Sequence, residues 1–214
     1  MALLKEKDRD ALKKTFDALP HVVTLLMFTQ EMECETCRLA RELVEELGSL
    51  SRKVRAEVHD FVQEADLAKR YGVDKIPAIL VTEGGNARVR FSGVPGGYEF
   101  GSLVEAIRQM GQRDPGLSAE VRAMLAQVDR PVHLQVMVTL TCPYCSRAVA
   151  TAHRFAMASE HITADMVETA EFPHLAVKYD VQGVPKTIIN DTHSVLGAQP
   201  ELLVAREVLK ALGK

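Results

Sequence analysis

Cys34-Glu35-Thr36-Cys37 and Cys142-Pro143-Tyr144-Cys145 are the two stretches on which the reading of this chain turns. Together they use all four cysteines of the 214 residues, so no thiol remains for another task. Each is followed after the same interval by an aliphatic residue and a proline, Ile76-Pro77 and Val184-Pro185, with 43 residues from first cysteine to proline in both cases. At a constant offset of 108, Val54 falls on Ile162, Ala56 on Ala164, Leu67 on Leu175, Ala68 on Ala176 and Tyr71 on Tyr179. Motif, partner and interval repeating together point to an internal duplication.

Outward from the motifs, the pattern predicts the same elements twice. His21 to Thr29 is apolar nearly throughout, as a strand covered on both faces would be. Cys37 to Leu47 places Leu39, Ala40, Leu43, Val44 and Leu47 at helical spacing. Val54 to Phe61 reads as a strand, Glu64 to Tyr71 as a short helix, and Ile76 to Val81 as a strand entered through proline. Gly84-Gly85-Asn86 reads as a hairpin turn into Arg88 to Phe91, and Leu103 to Met110 returns to helix. With the helix Asp8 to Leu19 in front, the order is α-β-α-β-α-β-β-α. Gln112 to Gly116 is the linker, polar and punctuated by Pro-Gly. The order then begins again with a helix from Ser118 and the strand Val132 to Leu140. Two units are therefore expected, 1–116 and 117–214.

Composition narrows the function. Apolar residues make up 47% and charged residues 26%, values of an ordinary globular protein. A formal net charge of −3 argues against a nucleic-acid partner. No apolar run approaches the length that crosses a bilayer, and none is expected to engage a membrane. Met1 to Lys14 is charged and lacks the apolar centre of a secretory signal, so the expected location is the cytoplasm. Four cysteines in that setting point to catalysis or metal before structural cross-links. Zinc is the weaker reading, because zinc ribbons place their pairs roughly 15–20 residues apart and these pairs sit in separate repeats.

A strand, a Cys-x-x-Cys and a helix together form a mechanism. The first cysteine lies at a helix N-terminus, where unpaired N–H groups and the helix dipole favour an anion. This supplies thiolate, the species that attacks a disulfide. Three residues on, the second cysteine can reach the first. Cys34 and Cys142 are the expected nucleophiles, and Cys37 and Cys145 are expected to resolve the mixed disulfide.

The arrangement resembles the thioredoxin superfamily, and Cys142-Pro143-Tyr144-Cys145 followed by Arg147 resembles glutaredoxin. Two such units with both motifs intact resemble the protein disulfide oxidoreductases, glutaredoxin-like tandem proteins. Arg90-Phe91-Ser92-Gly93-Val94-Pro95-Gly96-Gly97-Tyr98-Glu99-Phe100 also resembles the N-terminal domain of the flavoprotein that reduces bacterial peroxiredoxin. The resemblance implies an α/β fold of two tandem thioredoxin-like units, each a central mixed four-stranded sheet flanked by helices. It implies that Pro77 and Pro185 are cis-prolines opposite the cysteines. Ile76 and Val184 would then pair through their backbone with the substrate chain, and Tyr144 would wall its groove. It implies protein disulfides as substrates and a thioredoxin-reductase-like flavoprotein as electron donor. No cofactor is implied beyond the redox-active disulfides. The alternative is a dedicated electron shuttle to a peroxiredoxin. Gly197-Ala198-Gln199-Pro200 does not match the glutathione-binding element of glutaredoxins, which shifts the expected substrate from a small thiol to a protein.

The motifs are not equivalent. Glu35 lies inside the first, with Glu31 and Glu33 just before it, and like charge disfavours a thiolate. Cys142 is therefore expected to be the faster nucleophile at neutral pH. Phe28 and Val136 stand on the strands where a buried acid would be sought, leaving Glu57 and Asp165, at matched repeat positions, as candidates for moving the proton.

Overall fold

The computed structural model describes residues 3–85 and 87–214, so Asn86 of the expected hairpin turn lies outside the described residues. The first half runs α1 (Glu6–Asp17), β1 (Val23–Thr29), α2 (Cys37–Ser49), β2 (Val54–Asp60), α3 (Ala65–Tyr71), β3 (Ala78–Thr82), β4 (Val89–Ser92) and α4 (Tyr98–Gln112). The second repeats it as α5 (Ala119–Leu125), β5 (Val132–Val138), α6 (Cys145–Ala158), β6 (Ile162–Glu168), α7 (Pro173–Lys178), β7 (Lys186–Ile189), β8 (His193–Leu196) and α8 (Glu201–Ala211). The order is the one the repeat predicts. Helix α4 starts five residues before the predicted Leu103, because Gly97 and Gly101 hide its first turn from a hydrophobic pattern.

In each half, two parallel strands (β1 with β2, β5 with β6) carry an antiparallel hairpin (β3–β4, β7–β8) on the other side of the first strand. The period of two sorts the side chains. Leu25 and Met27 of β1, with Ala164 and Met166 of β6, face a core shared with α1, α2, α4, α5, α6 and α8. Leu26 and Phe28 face α3, and Met137 and Val167 face the α7 side.

The halves are not separate sheets. Strand β4 pairs in parallel with β6, Val89 opposite Ala164 through Ser92 opposite Val167. One eight-stranded sheet results, in the order β2-β1-β3-β4-β6-β5-β7-β8. Helices α4 and α6 pack across the joint. His153 of α6 is 1% exposed and donates from Nε2 to the Arg90 carbonyl of β4 at 3.0 Å, since a carbonyl can only accept. Its ring meets Phe91 edge-on at 4.7 Å. Burial holds this imidazole neutral, lowering its pKa to about 4.

Two glycines in the loop after β4 are required by close approach. Gly93, at φ +93°, would place a Cβ 2.9 Å from Glu168 Cβ, which cannot swing aside as the nearby Glu171 carboxylate can. Gly97, at φ +54°, would place one 2.2 Å from the Leu140 carbonyl oxygen. This loop wedges between the units and touches the segment that leads into Cys142.

Candidate functional site: two disulfides at one end of the sheet

Strands β1, β4, β6 and β5 all run the same way, so the motifs that follow β1 and β5 emerge at the same end of the sheet. Four strand spacings separate β1 from β5, about 19 Å at the usual inter-strand distance. Sulfurs must touch to exchange, so the two sites cannot pass electrons directly in this conformation.

Each pair is closed on itself. Cys34 is bonded to Cys37 and Cys142 to Cys145, with Cα separations of 5.4 and 5.5 Å. Helix α2 starts at Cys37 and α6 at Cys145, so the second cysteine of each pair is the first helical residue and is fully buried. Pro143 lies in the turn two residues before α6, where its missing N–H leaves no helical bond unmade. Cys34 is half-buried, whereas Cys142 is 9% exposed. Beside Cys142, Tyr144 stands out into solvent at 68% exposure.

Ile76–Pro77 and Val184–Pro185 are both cis. The carbonyl of each proline is held by a matched glycine, Gly93 N–H to Pro77 O at 2.9 Å and Gly197 N–H to Pro185 O at 2.8 Å. In the second unit the proline loop lies against the first cysteine of the motif: Cys142 Sγ is 3.8 Å from the Val184 carbonyl oxygen. The first motif is tied instead to the other unit, since Thr36 Oγ1 donates to Glu171, which also accepts from Val94 N–H.

The two acids singled out from the repeat lie elsewhere. Glu57 and Asp165 occupy the opposite parity on their strands from Ala56, Val58, Ala164 and Met166, which share the core with the cysteine-bearing helices. Glu57 is exposed on the edge strand. Asp165 is buried beneath His133, and although burial opposes it, the His133 hydrogen bond and charge hold its pKa below the usual carboxylate range. Strand alternation sends both away from the sulfurs.

The structure offers a different carboxyl, Glu99, in the first turn of α4. It is fully buried; Ser102 Oγ donates to its Oε2 at 2.7 Å, and Oε1 has no partner among the described residues. Burial raises its pKa and the Ser102 hydrogen bond only partly offsets this. Tyr98 N–H bonds the Leu140 carbonyl at 3.2 Å, and α4 packs on α6, so Glu99 is buried in the helix that packs across the joint, one residue after the contact with the segment leading into the second motif. No sequence pattern marked it, because a glutamate beside glycines reads as surface.

Known proteins place these features in context. The Thioredoxin domain family matches residues 132–210. An NADH dehydrogenase of Bacillus subtilis is 27% identical over 159 residues, 74% of this chain and 29% of that protein. The AhpF component of the alkyl hydroperoxide reductase of Staphylococcus aureus is 26% identical over 155 residues, 70% of this chain and 30% of that protein. The chain thus spans under a third of the length of these curated relatives. Among solved structures, a protein disulfide oxidoreductase from Aeropyrum pernix superimposes with a TM-score of 0.89 at 28% identity, covering 97% of this chain and 93% of that one. The N-terminal domain of alkylhydroperoxide reductase AhpF from Enterococcus faecalis gives 0.88 at 26% identity, covering 96% and 99%. Among the described residues no helix is long and apolar enough to cross a membrane.

Proposed function

We propose that this chain, a tandem thioredoxin-fold protein, is a thiol–disulfide oxidoreductase acting on protein disulfides at two Cys-x-x-Cys sites. The observation that carries the reading is the recurrence, at one end of one sheet, of a disulfide closed onto a helix N-terminus. The units are taken as 1–116 and 117–214, and the redox groups as the two disulfides alone. In the reductive direction the thiolate of Cys34 or Cys142 attacks a substrate disulfide, forms a mixed disulfide and releases one substrate thiolate. Cys37 or Cys145, deprotonated, then attacks the first cysteine's sulfur. The motif disulfide re-forms and the second substrate thiol leaves, two electrons having passed from protein to substrate. Pro77 and Pro185 place no N–H beside the sulfurs, and the backbones of Ile76 and Val184 are there to pair with an extended substrate, with Tyr144 as a wall at the second site. A flavoprotein of the thioredoxin-reductase kind would return the electrons, in the cytoplasm. Reduction of insulin by dithiothreitol, with wild type and serine variants, tests the activity.

A second reading, a shuttle dedicated to one peroxiredoxin, is favoured by the likeness to the AhpF component of alkyl hydroperoxide reductase. Trapping with Cys37→Ser and Cys145→Ser separates the two: one dominant adduct indicates the shuttle, and many indicate a general oxidoreductase.

Glu99 is proposed to take the proton from Cys145 as it becomes the attacking thiolate. Its pKa is raised, so the folded state holds a proton over a range where the unfolded chain has lost it. Stability tied to this group therefore falls as pH rises through the ordinary glutamate range to the folded value. Glu99→Gln is expected to slow turnover at the second site roughly a hundredfold while raising the urea midpoint at pH 8 and changing it little at pH 4. A variant slower in turnover but without the pH-dependent gain in stability would remove Glu99 from this role.

A further inference from the structure

We infer that the first disulfide selects cationic substrates, protein segments carrying lysine or arginine around their disulfide, and does so more strongly than the second. The inference rests on the exchange activity proposed above and names the substrate class of one of its two sites.

The origin lies in how the units join. In the second unit the edge of β6 and the adjoining face of α6 are occupied by β4 and α4 of the first unit. The equivalent edge in the first unit, β2 with α2, has no strand beyond it among the described residues. It is left as a groove of about 1170 Å³ with Cys34 in its wall. Exposed Met32 and Val62, at 77% and 67%, supply apolar contact there.

The charge of that groove is one-sided. Its lining holds six carboxylates and two guanidinium groups. Arg41 is engaged by Glu45 at 2.8 Å, and Arg38, 89% exposed, approaches Glu42 only to 4.0 Å. Glu31 and Glu33, on the turn into the motif, have no ion pair or side-chain hydrogen bond among the described residues. The repeat shows that most of these charges are not demanded by the fold, Asp60 alone keeping an acidic counterpart in Glu168. At the offset of 108, Glu31, Glu33, Glu42 and Glu45 become Thr139, Thr141, Ala150 and His153. His153 is the residue buried against β4, so the position that is acidic in the open groove is neutral where the groove is filled. An acidic cleft open to solvent focuses its field on approaching charge and changes association rates accordingly. A cationic segment entering the groove would bring its disulfide to Cys34.

The test uses the full chain and two symmetric probe disulfides, dicationic cystamine and dianionic dithiodipropionate. In one variant Cys37→Ser leaves Cys34 as the reporting thiol, with Cys142→Ser and Cys145→Ser silencing the other motif. In the converse variant Cys142 reports. The pre-reduced thiolate attacks the probe, its sulfur joins one half, and the other half leaves as a thiolate, which mass spectrometry follows. Intrinsic probe reactivity cancels when the cystamine-to-dithiodipropionate rate ratio at Cys34 is divided by that at Cys142. The expected quotient is roughly tenfold at low salt, falling toward one near ~1 M salt, where the screening length is about 3 Å. Adding Glu31→Gln, Glu33→Gln and Glu42→Gln should bring it to within about twofold of one at low salt. A quotient of one at low salt, or one unmoved by salt or by the three substitutions, overturns the inference while leaving the exchange activity standing. Failure of both cysteines to form mixed disulfides with either probe overturns the activity and the inference together.

Discussion

Replacing Cys34 and Cys142 together by serine is expected to bring insulin reduction down to the uncatalysed dithiothreitol rate, a loss of at least about a thousandfold. That corresponds to roughly 4 kcal/mol of lost transition-state stabilisation. A serine hydroxyl keeps the size of the thiol but supplies no anion at neutral pH, so the first covalent step disappears while the fold stays. The single variants divide the activity. Cys142→Ser is expected to remove the larger share, because Cys34 lies beside Glu33 and Glu35 and ionises against their charge. Cys37→Ser and Cys145→Ser act one step later and should accumulate mixed disulfides instead of merely slowing. Retention of more than a tenth of wild-type turnover by the double variant would mean that the activity does not pass through these sulfurs.

Gly97→Ala is expected to have the largest effect of any change outside the motifs. The residue sits at φ 54° and ψ −127°, a region open essentially to glycine alone. An added Cβ would also lie 2.2 Å from the Leu140 oxygen and 3.1 Å from its carbonyl carbon, both backbone atoms that cannot swing aside. Either α4 retreats from the joint or the segment leading to Cys142 is displaced. The expected loss is about 3 kcal/mol or more, read as a lower urea midpoint. Mixed-disulfide formation should slow at Cys142 more than at Cys34, since Leu140 belongs to the second site's approach. Gly101→Ala is the control. Its Cβ would meet nothing within 4 Å, and in the helix it should be neutral or stabilise by up to about 1 kcal/mol.

Much of this was legible in the residues. The matched interval from Cys34 to Pro77 and from Cys142 to Pro185 located both motifs and both proline loops, because a duplicated unit must repeat its spacing. Hydrophobic periodicity located the helices and strands, because burial is what the pattern encodes. The joining of β4 to β6 was not legible, since edge pairing is made by backbone groups that every residue carries. A faint signal existed. Arg55 and His59 of the open edge become Thr163 and Val167 in the covered one, where β4 arrives, while the acid at the position between them is kept as Glu57 and Asp165. Glu99 stayed hidden for a different reason. Its burial depends on Gly97 letting α4 approach Leu140, a close contact that appears only once the two units are folded together.

That the chain holds two separate dithiol centres is tested most directly by redox titration with quenching, alkylation and peptide mass analysis. Equilibrated across dithiothreitol ratios, the protein should show four alkylated cysteines when reduced. Their loss should come in two independent pairs, Cys34 with Cys37 and Cys142 with Cys145, each as a two-electron couple. Opening and re-closing of both pairs is the predicted result. A Cys34–Cys142 cross-link, or a pair that cannot be opened and closed again, would contradict it.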